Sequence, residues 1–261
     1  MDKQISQFGE LLRHEAAAIN RTADRLQPEH VKRAVDLLVG CGGKVVLTGI
    51  GKSGFIARKI AATLTSTGTR AVFLHASDAL HGDLGILDKS DVVLLVSNSG
   101  ETDEVIAMMP YLKHRTVPLI AIVGNLTSTL ASNADVILDA SVDRETCPFN
   151  LAPTASTTVA LAIGDALALT VMQIKGLTLE DFALNHPAGR LGKRLSLKVA
   201  DLMHSGDRNP IVSPVTCWLE VVSAITRGGL GAVNVLSDGG VLAGIITDGD
   251  LRRAIQKGNP A

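Results

Sequence analysis

The sequence contains few aromatic residues and no excess of charge of either sign. Of its 261 residues, 3% are aromatic and 46% are hydrophobic, so a core has to be built from Ala, Val, Leu and Ile. Such a composition suits the layers of a parallel α/β fold. The net charge is −1, and no basic run is interleaved with aromatic residues. We therefore expect a globular chain that has no nucleic-acid partner.

Cysteines and long apolar runs are also scarce. The three cysteines, Cys41, Cys147 and Cys217, lie far apart and form no CxxC pair. This spacing supports neither a disulfide scaffold nor a structural zinc site, and reduced thiols are typical of the cytoplasm. Residues 1–4 lack the apolar stretch of a signal peptide, and apolar runs such as 92–96 are too short to span a membrane. We expect a cytoplasmic protein without a membrane partner.

Apolar strand patterns alternate with helical ones along most of the chain. The predicted strands are 44–48, 70–74, 92–96, 119–123 and 135–138. The predicted helices are 4–22, one that follows Pro28, and 53–66, 102–113, 128–131 and 154–175. This order predicts an α/β domain with a doubly wound, five-stranded parallel sheet of the flavodoxin-like kind, whose ligands bind beyond the carboxyl ends of the strands.

The texture of the sequence changes after Arg194, and we place a domain boundary near residues 195–200. The first domain is predicted to span residues 1–195 and the second 196–261. In the second, a helix at 219–226, a strand at 231–236, an Asp-Gly-Gly turn and a strand at 241–246 predict a small α+β unit.

A glycine-rich loop, Gly49-Ile50-Gly51-Lys52-Ser53-Gly54, follows the first predicted strand. Backbone N–H groups in such a loop, with the partial positive charge of a helix N-terminus, bind anions. The loop matches G-x-G-x-x-G, but a dinucleotide site also expects an acid after the second strand, where Leu74 and His75 stand. A plain strand-to-helix turn is the structural alternative, although it gives no reason for Lys52.

A hydroxyl-rich loop, Ser97-Asn98-Ser99-Gly100-Glu101-Thr102, follows the third predicted strand. Ordinary capping by Ser99 would need one hydroxyl, whereas this loop has three, which favours an anion site. The start of the long helix, Ala155-Ser156-Thr157-Thr158, offers further donors or simply caps the helix. Together these loops predict a small phosphorylated ligand, with Lys52 and Glu101 as reactive side chains.

Four more side chains are candidates for chemistry. His75 and His81 flank a short loop and could share a metal ion or touch a sugar, although such a pair is more often non-metallic. Glu145 lies in a polar loop after the fifth strand, and His186 lies in an irregular segment after the long helix. Taken singly, each of these two has the setting of a surface residue.

These segments together resemble the sugar isomerase (SIS) domain family, and within it the D-arabinose 5-phosphate isomerases. The resemblance is carried by segments 49–54, 66–69, 81–85, 97–101, 151–158 and 181–187. Residues 200–258 resemble one CBS motif, which ends in Thr247-Asp248-Gly249-Asp250-Leu251-Arg252-Arg253. Members usually carry two CBS motifs where this sequence has one, and usually have Glu where Asp78 stands.

The resemblance implies an aldose–ketose isomerase that interconverts D-ribulose 5-phosphate and D-arabinose 5-phosphate and supplies the octulosonate sugar of lipopolysaccharide. It also implies a homo-oligomer, usually a tetramer, whose sites use residues from neighbouring subunits. The implied catalytic set is Lys52, Glu101, Glu145 and His186. The implied substrate contacts are Gly68, Thr69, His75, His81 and segments 104–113 and 141–143. His75 matches a position where zinc binds as an inhibitor rather than as a cofactor.

The anion-binding loops add further expected substrate contacts, at Gly51, Ser53, Ser97, Asn98, Ser99, Thr102, Ser156 and Thr157. Moving a carbonyl between C1 and C2 needs a base and a group that stabilises the enediolate, but no metal or redox cofactor. A carboxylate in a dry pocket has a raised pKa, and Glu101 or Glu145 could be the base. Lys52 would stabilise the oxyanion, and His186 would open the sugar ring or move hydroxyl protons.

Three other functions stay open at this point. The domain could isomerise a different sugar phosphate, or it could sense a sugar phosphate without converting it. A dinucleotide-dependent dehydrogenase is disfavoured because the acid that would bind the ribose is missing.

Overall fold

The computed structural model describes residues 2–187 and 198–258. Contacts divide the chain into two compact units, Met1–Ser196 and Leu197–Ala261. The predicted boundary near 195–200 falls largely among residues 188–197, outside the described part of the chain.

The first unit alternates strands with helices. Its helices are α1 (Asp2–Arg25), α2 (Pro28–Val39), α3 (Gly51–Ser66), α4 (Ala76–Leu80), α5 (Asp103–His114), α6 (Thr129–Asn133), α7 (Ala155–Ile174) and α8 (Leu179–Asn185), with a 3₁₀ turn at Asp83–Ile86. Its strands are β1 (Val45–Thr48), β2 (Ala71–Phe73), β3 (Val92–Ser97), β4 (Leu119–Val123) and β5 (Val136–Asp139).

The five strands form one parallel sheet in the order β2-β1-β3-β4-β5. Val45 pairs with Ala71 on one side and with Val92 on the other, so β1 lies in the interior of the sheet. Every residue of β1, β3 and β4 is buried, as the continuous apolar runs predict for strands covered on both faces. The predicted doubly wound α/β fold is confirmed.

Two apolar cores lie on opposite faces of this sheet. One contains Val45 and Leu47 of β1 and packs against α2, α3 and α7. The other contains Val46 and packs against α4, α5 and α6. The alternation along β1 sends successive side chains to opposite faces, and helices therefore cover both.

Helix α7 lies in the first core and contacts α1, α2 and α3. A Cβ atom at Gly164 would lie 2.3 Å from Cδ1 of Ile60, so glycine is what allows α3 and α7 to cross this closely. Among the described helices, α7 alone has the length and apolar composition to cross a membrane, and half of it is buried inside the protein. That burial is also what a core helix of a globular domain shows.

Two short helices were not expected from the sequence. Helix α4 occupies the loop between His75 and His81, and five residues are too few to give a clear helical period. Helix α8 begins with a capping box in which Thr178 and Asp181 bond each other's backbone N–H groups. That capping box was a sequence signal for a helix start.

The second unit is a three-stranded sheet in the order β6-β7-β8. Its elements are α9 (Val199–Leu202), a 3₁₀ turn (Gly206–Arg208), β6 (Ile211–Val212), α10 (Trp218–Gly228), β7 (Ala232–Leu236), β8 (Leu242–Thr247) and α11 (Asp248–Gln256). Strands β7 and β8 form the predicted hairpin, and β6, which was not predicted, runs parallel to β7. The core is small, and the assignment to a CBS motif stays a prediction.

A buried carboxylate links β1 to β3 at their amino ends. Asp91 accepts hydrogen bonds from the backbone N–H groups of Lys44 and Asp88, each at 2.8 Å. It also forms an ion pair with Lys44 Nζ at 2.7 Å. Burial alone would raise the pKa of Asp91, but these hydrogen bonds outweigh burial and hold the pKa below its usual value.

We expect Asp91→Asn to lower the free energy of unfolding at neutral pH by about 2 kcal/mol, because the single amide oxygen of Asn leaves one of the two buried N–H donors without an acceptor and Lys44 without its ionic partner. Since the pKa of Asp91 is lowered in the folded state, its contribution is complete above about pH 4 and is lost as the pH falls through the folded-state pKa. Urea unfolding between pH 7 and pH 3 measures this. Asp36→Asn, which breaks the exposed pair with Lys32, is the control. A difference from wild type that stays constant down to pH 3 would contradict the expectation.

Candidate active site

The carboxyl ends of the parallel strands form one edge of the sheet, called here the carboxyl edge. A small pocket of ≈ 40 Å³ opens there, large enough for one chemical group rather than a whole ligand. It is lined by Ser53, Ile56, Val96, Asn98, Ile122, Gly124, Ala140, Pro153, Ser156, Thr157 and Ala160. Four of the predicted substrate contacts, on three separate loops, therefore meet at one pocket.

The loop after β1 presents backbone donors at this edge. Helix α3 begins at Gly51, which has a positive φ of 56°, and no side chain caps its N-terminus. The first N–H groups of a helix have no partner inside it, so those of Gly51, Lys52 and Ser53 are available to an anion. Lys52 itself is exposed, and its amine bonds to no group in the described part of the chain.

The hydroxyls of the loop after β3 serve two purposes. Ser97 is buried, and its Oγ accepts a hydrogen bond from Gly100 N at 3.0 Å and lies 3.1 Å from Thr102 Oγ1. These two hydroxyls shape the loop rather than face the solvent, whereas Asn98 and Ser99 are exposed. Gly100 has a φ of 67°, and a Cβ atom there would lie 2.1 Å from Ser128 Oγ, so the turn requires glycine.

Two carboxylates follow this loop. Glu101 is exposed, and its Oε1 accepts a hydrogen bond of 2.6 Å from the backbone N–H of Thr129, the first residue of α6. Glu104 lies in the first turn of α5, is half-buried, and bonds to no group among the described residues. The family resemblance implies for Glu104 only that it begins a segment that contacts the substrate. Its half-buried, unpaired carboxyl makes it a third candidate base.

Glu145 is buried at the start of α7, where four donors surround its carboxylate. Thr154 donates from its backbone N–H and its hydroxyl at 2.8 and 3.1 Å, and Ser156 donates from its N–H at 3.2 Å and from its hydroxyl. Burial alone would raise the pKa of Glu145, but these hydrogen bonds outweigh burial and hold the pKa below its usual value. The expectation of a raised pKa is therefore wrong for Glu145, which stays ionised and holds the helix N-terminus.

Two further predicted substrate contacts, Gly68 and Thr69, lie just after the C-terminal end of α3. Gly68 follows α3 with a φ of 86°, and a Cβ there would lie 2.6 Å from Cδ1 of Leu177. Thr69 is buried and its hydroxyl accepts a bond of 3.1 Å from Lys175 Nζ. Both residues precede β2, so they lie where the parallel strands begin, opposite the carboxyl edge. This side of the sheet is called here the amino edge.

His186 ends α8 at this same amino edge. Asn185 beside it donates to the carbonyl of Ser66, the last residue of α3, at 3.4 Å. The ring of His186 stacks on Phe182, and its Nδ1 lies 2.9 Å from the carbonyl oxygen of Phe182. A carbonyl can only accept, so Nδ1 carries the proton and Nε2 is left to accept or donate.

A single chain therefore holds the predicted catalytic set in two places. Lys52, Glu101 and Glu145 lie at the carboxyl edge, whereas His186 lies at the amino edge. With a rise of about 1.5 Å per residue, the length of α3 separates His186 from Lys52 by on the order of 20 Å. One chain alone cannot bring all four side chains around one small molecule.

The two histidines of the loop after β2 differ in setting. His75 is half-buried, its ring meets Phe73 edge-on, and its Nδ1 is buried without a hydrogen-bond partner among the described residues. His81 is exposed at the far end of α4. Within residues 2–187 and 198–258, no cluster of three or more His, Cys, Asp or Glu side chains is arranged to hold a metal ion.

Comparisons with known proteins bear on this arrangement. A family model for the SIS domain matches residues 38–170. The arabinose 5-phosphate isomerase KdsD of Pseudomonas aeruginosa is 50% identical over 244 residues, which is 94% of this chain and 74% of that protein. The protein of the same name from Escherichia coli K12 is 48% identical over 225 residues, which is 86% of this chain and 69% of that protein.

A solved structure of an Escherichia coli CFT073 protein in complex with arabinose 5-phosphate is also similar. It is 42% identical in sequence, superposes with a TM-score of 0.69, and covers 71% of this chain and 98% of that chain. The match to the family model and the identity to these relatives agree with the sheet order and with the loops at the carboxyl edge. The chain therefore belongs to the SIS domain family and, within it, to the family of arabinose 5-phosphate isomerases.

Proposed function

We infer that this protein is an aldose–ketose isomerase that interconverts D-ribulose 5-phosphate and D-arabinose 5-phosphate through an enediol. The observation that carries this inference is the pocket at the carboxyl edge, where Ser53, Asn98, Ser156 and Thr157 meet. The relatives named arabinose 5-phosphate isomerase, about half identical over most of the chain, support the choice of substrate.

The phosphate of the sugar would bind the open N-terminus of α3 and the hydroxyls around the pocket. Uncapped amides at a helix start favour a dianionic group by hydrogen bonding and by the helix dipole. Because the pocket admits a single group, the sugar carbons extend outward, toward the exposed Lys52 and the carboxylates beside it. C1 and C2 then lie where the carboxylates and the amine of Lys52 are available.

The chemistry moves one proton between two carbons. A carboxylate removes the proton from C2 of the aldose, and the C–H electrons form the C1=C2 bond of the enediolate. A proton returns to C1, and the hydroxyl proton of O2 passes to O1 as the carbonyl moves from C1 to C2. Lys52 stabilises the oxyanion that develops on the sugar oxygens. This route moves protons only, so we propose that it needs no metal or redox cofactor.

Three carboxylates compete for the role of base. Glu145 is ionised, but four donors already hold its oxygens, which makes it a weak base. Glu101 has one backbone donor, and Glu104 has no partner among the described residues. The geometry thus favours Glu101 or Glu104 as base and gives Glu145 the role of fixing the start of α7.

We propose that His186 reaches the site from a second copy of the chain. Gly68, Thr69 and His186 share the amino edge, far from the pocket, so the three can act on substrate only in a homo-oligomer. A closed assembly in which the amino edge of one copy meets the carboxyl edge of another satisfies this geometry, and the family resemblance favours a tetramer.

The family resemblance also supports the place of this reaction in the cell. We propose that the enzyme works in the cytoplasm and supplies the octulosonate sugar of lipopolysaccharide. Loss of that sugar from a strain that lacks the gene would test this proposal.

We expect three conservative variants, Glu101→Gln, Glu104→Gln and Glu145→Gln, to identify the catalytic base. Removing a general base costs about 100- to 10,000-fold in kcat, whereas Glu145→Gln should mainly lower stability. Because the pKa of Glu145 is lowered, a base at this position would lose activity only below about pH 4. The kcat for ribulose 5-phosphate, measured for each variant across pH, tests both the loss of activity and its pH dependence. If Glu101→Gln and Glu104→Gln each keep full activity, this assignment is contradicted.

We expect two inactive variants to restore activity when they are mixed. Lys52→Ala removes the carboxyl-edge cation, and His186→Ala removes the amino-edge imidazole. When subunits are unfolded and refolded together, random assortment gives about one quarter of the sites an intact pair. If the mixture stays as inactive as its components although mixed oligomers form, then His186 does not act across a subunit boundary.

We propose that zinc inhibits the enzyme through His75, whose buried Nδ1 has no partner among the described residues. Added zinc should lower the activity of the wild type, and a chelator should restore it. His75→Asn should raise the zinc concentration for half-inhibition about 10-fold or more. His30→Asn, an exposed histidine on α2, is the control. Equal zinc sensitivity of the two variants would rule out His75 as the ligand.

A further inference from the structure

The C-terminal half of helix α1 is bonded to the segment that carries Glu145. The segment runs from the end of β5 into the first turn of α7, residues 139–158. The bonded pairs are Arg25 with Asp139 and Ser141, Arg21 with Asp143, His14 with Thr146, and Glu15 with Thr158. Ser141 and Asp143 lie in segment 141–143, which the resemblance assigns to substrate contact, and the catalytic scheme leaves the other residues of these contacts without a role.

One of these contacts leads directly to the candidate site. His14 Nδ1 lies 3.1 Å from the hydroxyl of Thr146, the residue after Glu145. The backbone N–H of Thr146 donates to Thr154 Oγ1 at 2.9 Å, and the same hydroxyl donates to Glu145 Oε2 at 3.1 Å. A chain of hydrogen-bonded residues, Thr146 and Thr154, therefore links His14 to the Glu145 carboxylate.

The chain of hydrogen bonds lies in a protected setting. Thr146 is 9% exposed and Glu145 is 7% exposed, while His14 is half-buried between α1 and the segment. Hydrogen bonds in such surroundings hold geometry better than exposed ones do, because water cannot replace a lost partner. The cluster that they hold includes Ser156, which lines the pocket.

We propose that His14 is a positioning residue of the isomerase. It fixes Thr146, and through Thr154 it fixes the cluster of Glu145 and Ser156 that forms one wall of the pocket. His14 acts through these residues and does not touch the substrate. The proposal rests on the proposed function, since that function places this wall beside the sugar.

We expect His14→Ala to lower kcat about 3- to 10-fold, as loss of one partly buried hydrogen bond does, and to change KM less than about two-fold. His14→Asn should restore most of the activity, because the Asn amide occupies the position of Nδ1. Alanine is the better helix former, so a role in helix stability alone would make His14→Ala the more active variant. The order of these two variants separates the two explanations.

Arg13→Ala, which changes the exposed neighbour on the same helix turn, is the control and should keep wild-type kinetics. Thr146→Val should lower kcat as much as His14→Ala, and the double variant should be no worse than either single one. The proposal is overturned if His14→Ala keeps kcat within two-fold, if Arg13→Ala matches its loss, or if the two losses multiply.

A second measurement does not depend on turnover. The backbone N–H groups of Thr154 and Ser156 donate to Glu145, and their hydrogen exchange should be faster in His14→Ala than in Arg13→Ala. If the wild type fails to convert ribulose 5-phosphate, the proposed function fails while this exchange result still judges the positioning role. Unchanged exchange together with unchanged kcat would refute His14 as a positioning residue.

Discussion

Every helix that follows a strand of this sheet begins at the carboxyl edge with backbone N–H groups that have no partner inside the helix. The chain satisfies these donors unevenly. Glu145 accepts two N–H groups at the start of α7, and Glu101 and Ser128 each accept one at the start of α6. Among the described residues no side chain caps α3, α4 or α5, and α3 keeps its first donors open beside the pocket. The anion-binding capacity of the site therefore comes from a helix start that the described side chains leave uncapped, since Ser53 of α3 lines the pocket.

The unpaired N–H groups at helix starts also explain why burial alone does not predict the direction of the pKa shift of Glu145. A buried carboxylate with no donors resists ionisation, whereas one that accepts from two hydroxyls and two N–H groups is held in its charged form. Glu145 is of the second kind. Its charge stabilises the start of α7, and Glu101 and Glu104, which have fewer partners among the described residues, are the bases that we propose.

Sequence patterns were sufficient for the sheet because each strand is a continuous apolar run, and such runs occur where both faces are covered. They also located the loops of the pocket, since glycine and hydroxyl residues directly follow β1 and β3. They could not locate His186, because the position of α8 depends on tertiary contacts such as that between Asn185 and Ser66. The donors of Glu145 were hidden for a related reason, as they lie 9 and 11 residues further along the chain.

Helix α7 reaches both edges of the sheet. Its first turn carries Ser156 and Thr157 at the carboxyl edge, and Lys175, directly after its last turn, bonds Thr69 at the amino edge. At about 1.5 Å per residue, its 20 residues form a rod of about 30 Å. In the proposed oligomer, one protomer would contribute two half-sites, the carboxyl-edge residues and the amino-edge residues, and the distance between them is set by the length of α7 and not by a loop. Inserting one residue into α7 would turn one half-site by about 100° relative to the other, so evolution can vary the loops of this enzyme far more freely than the length of this helix.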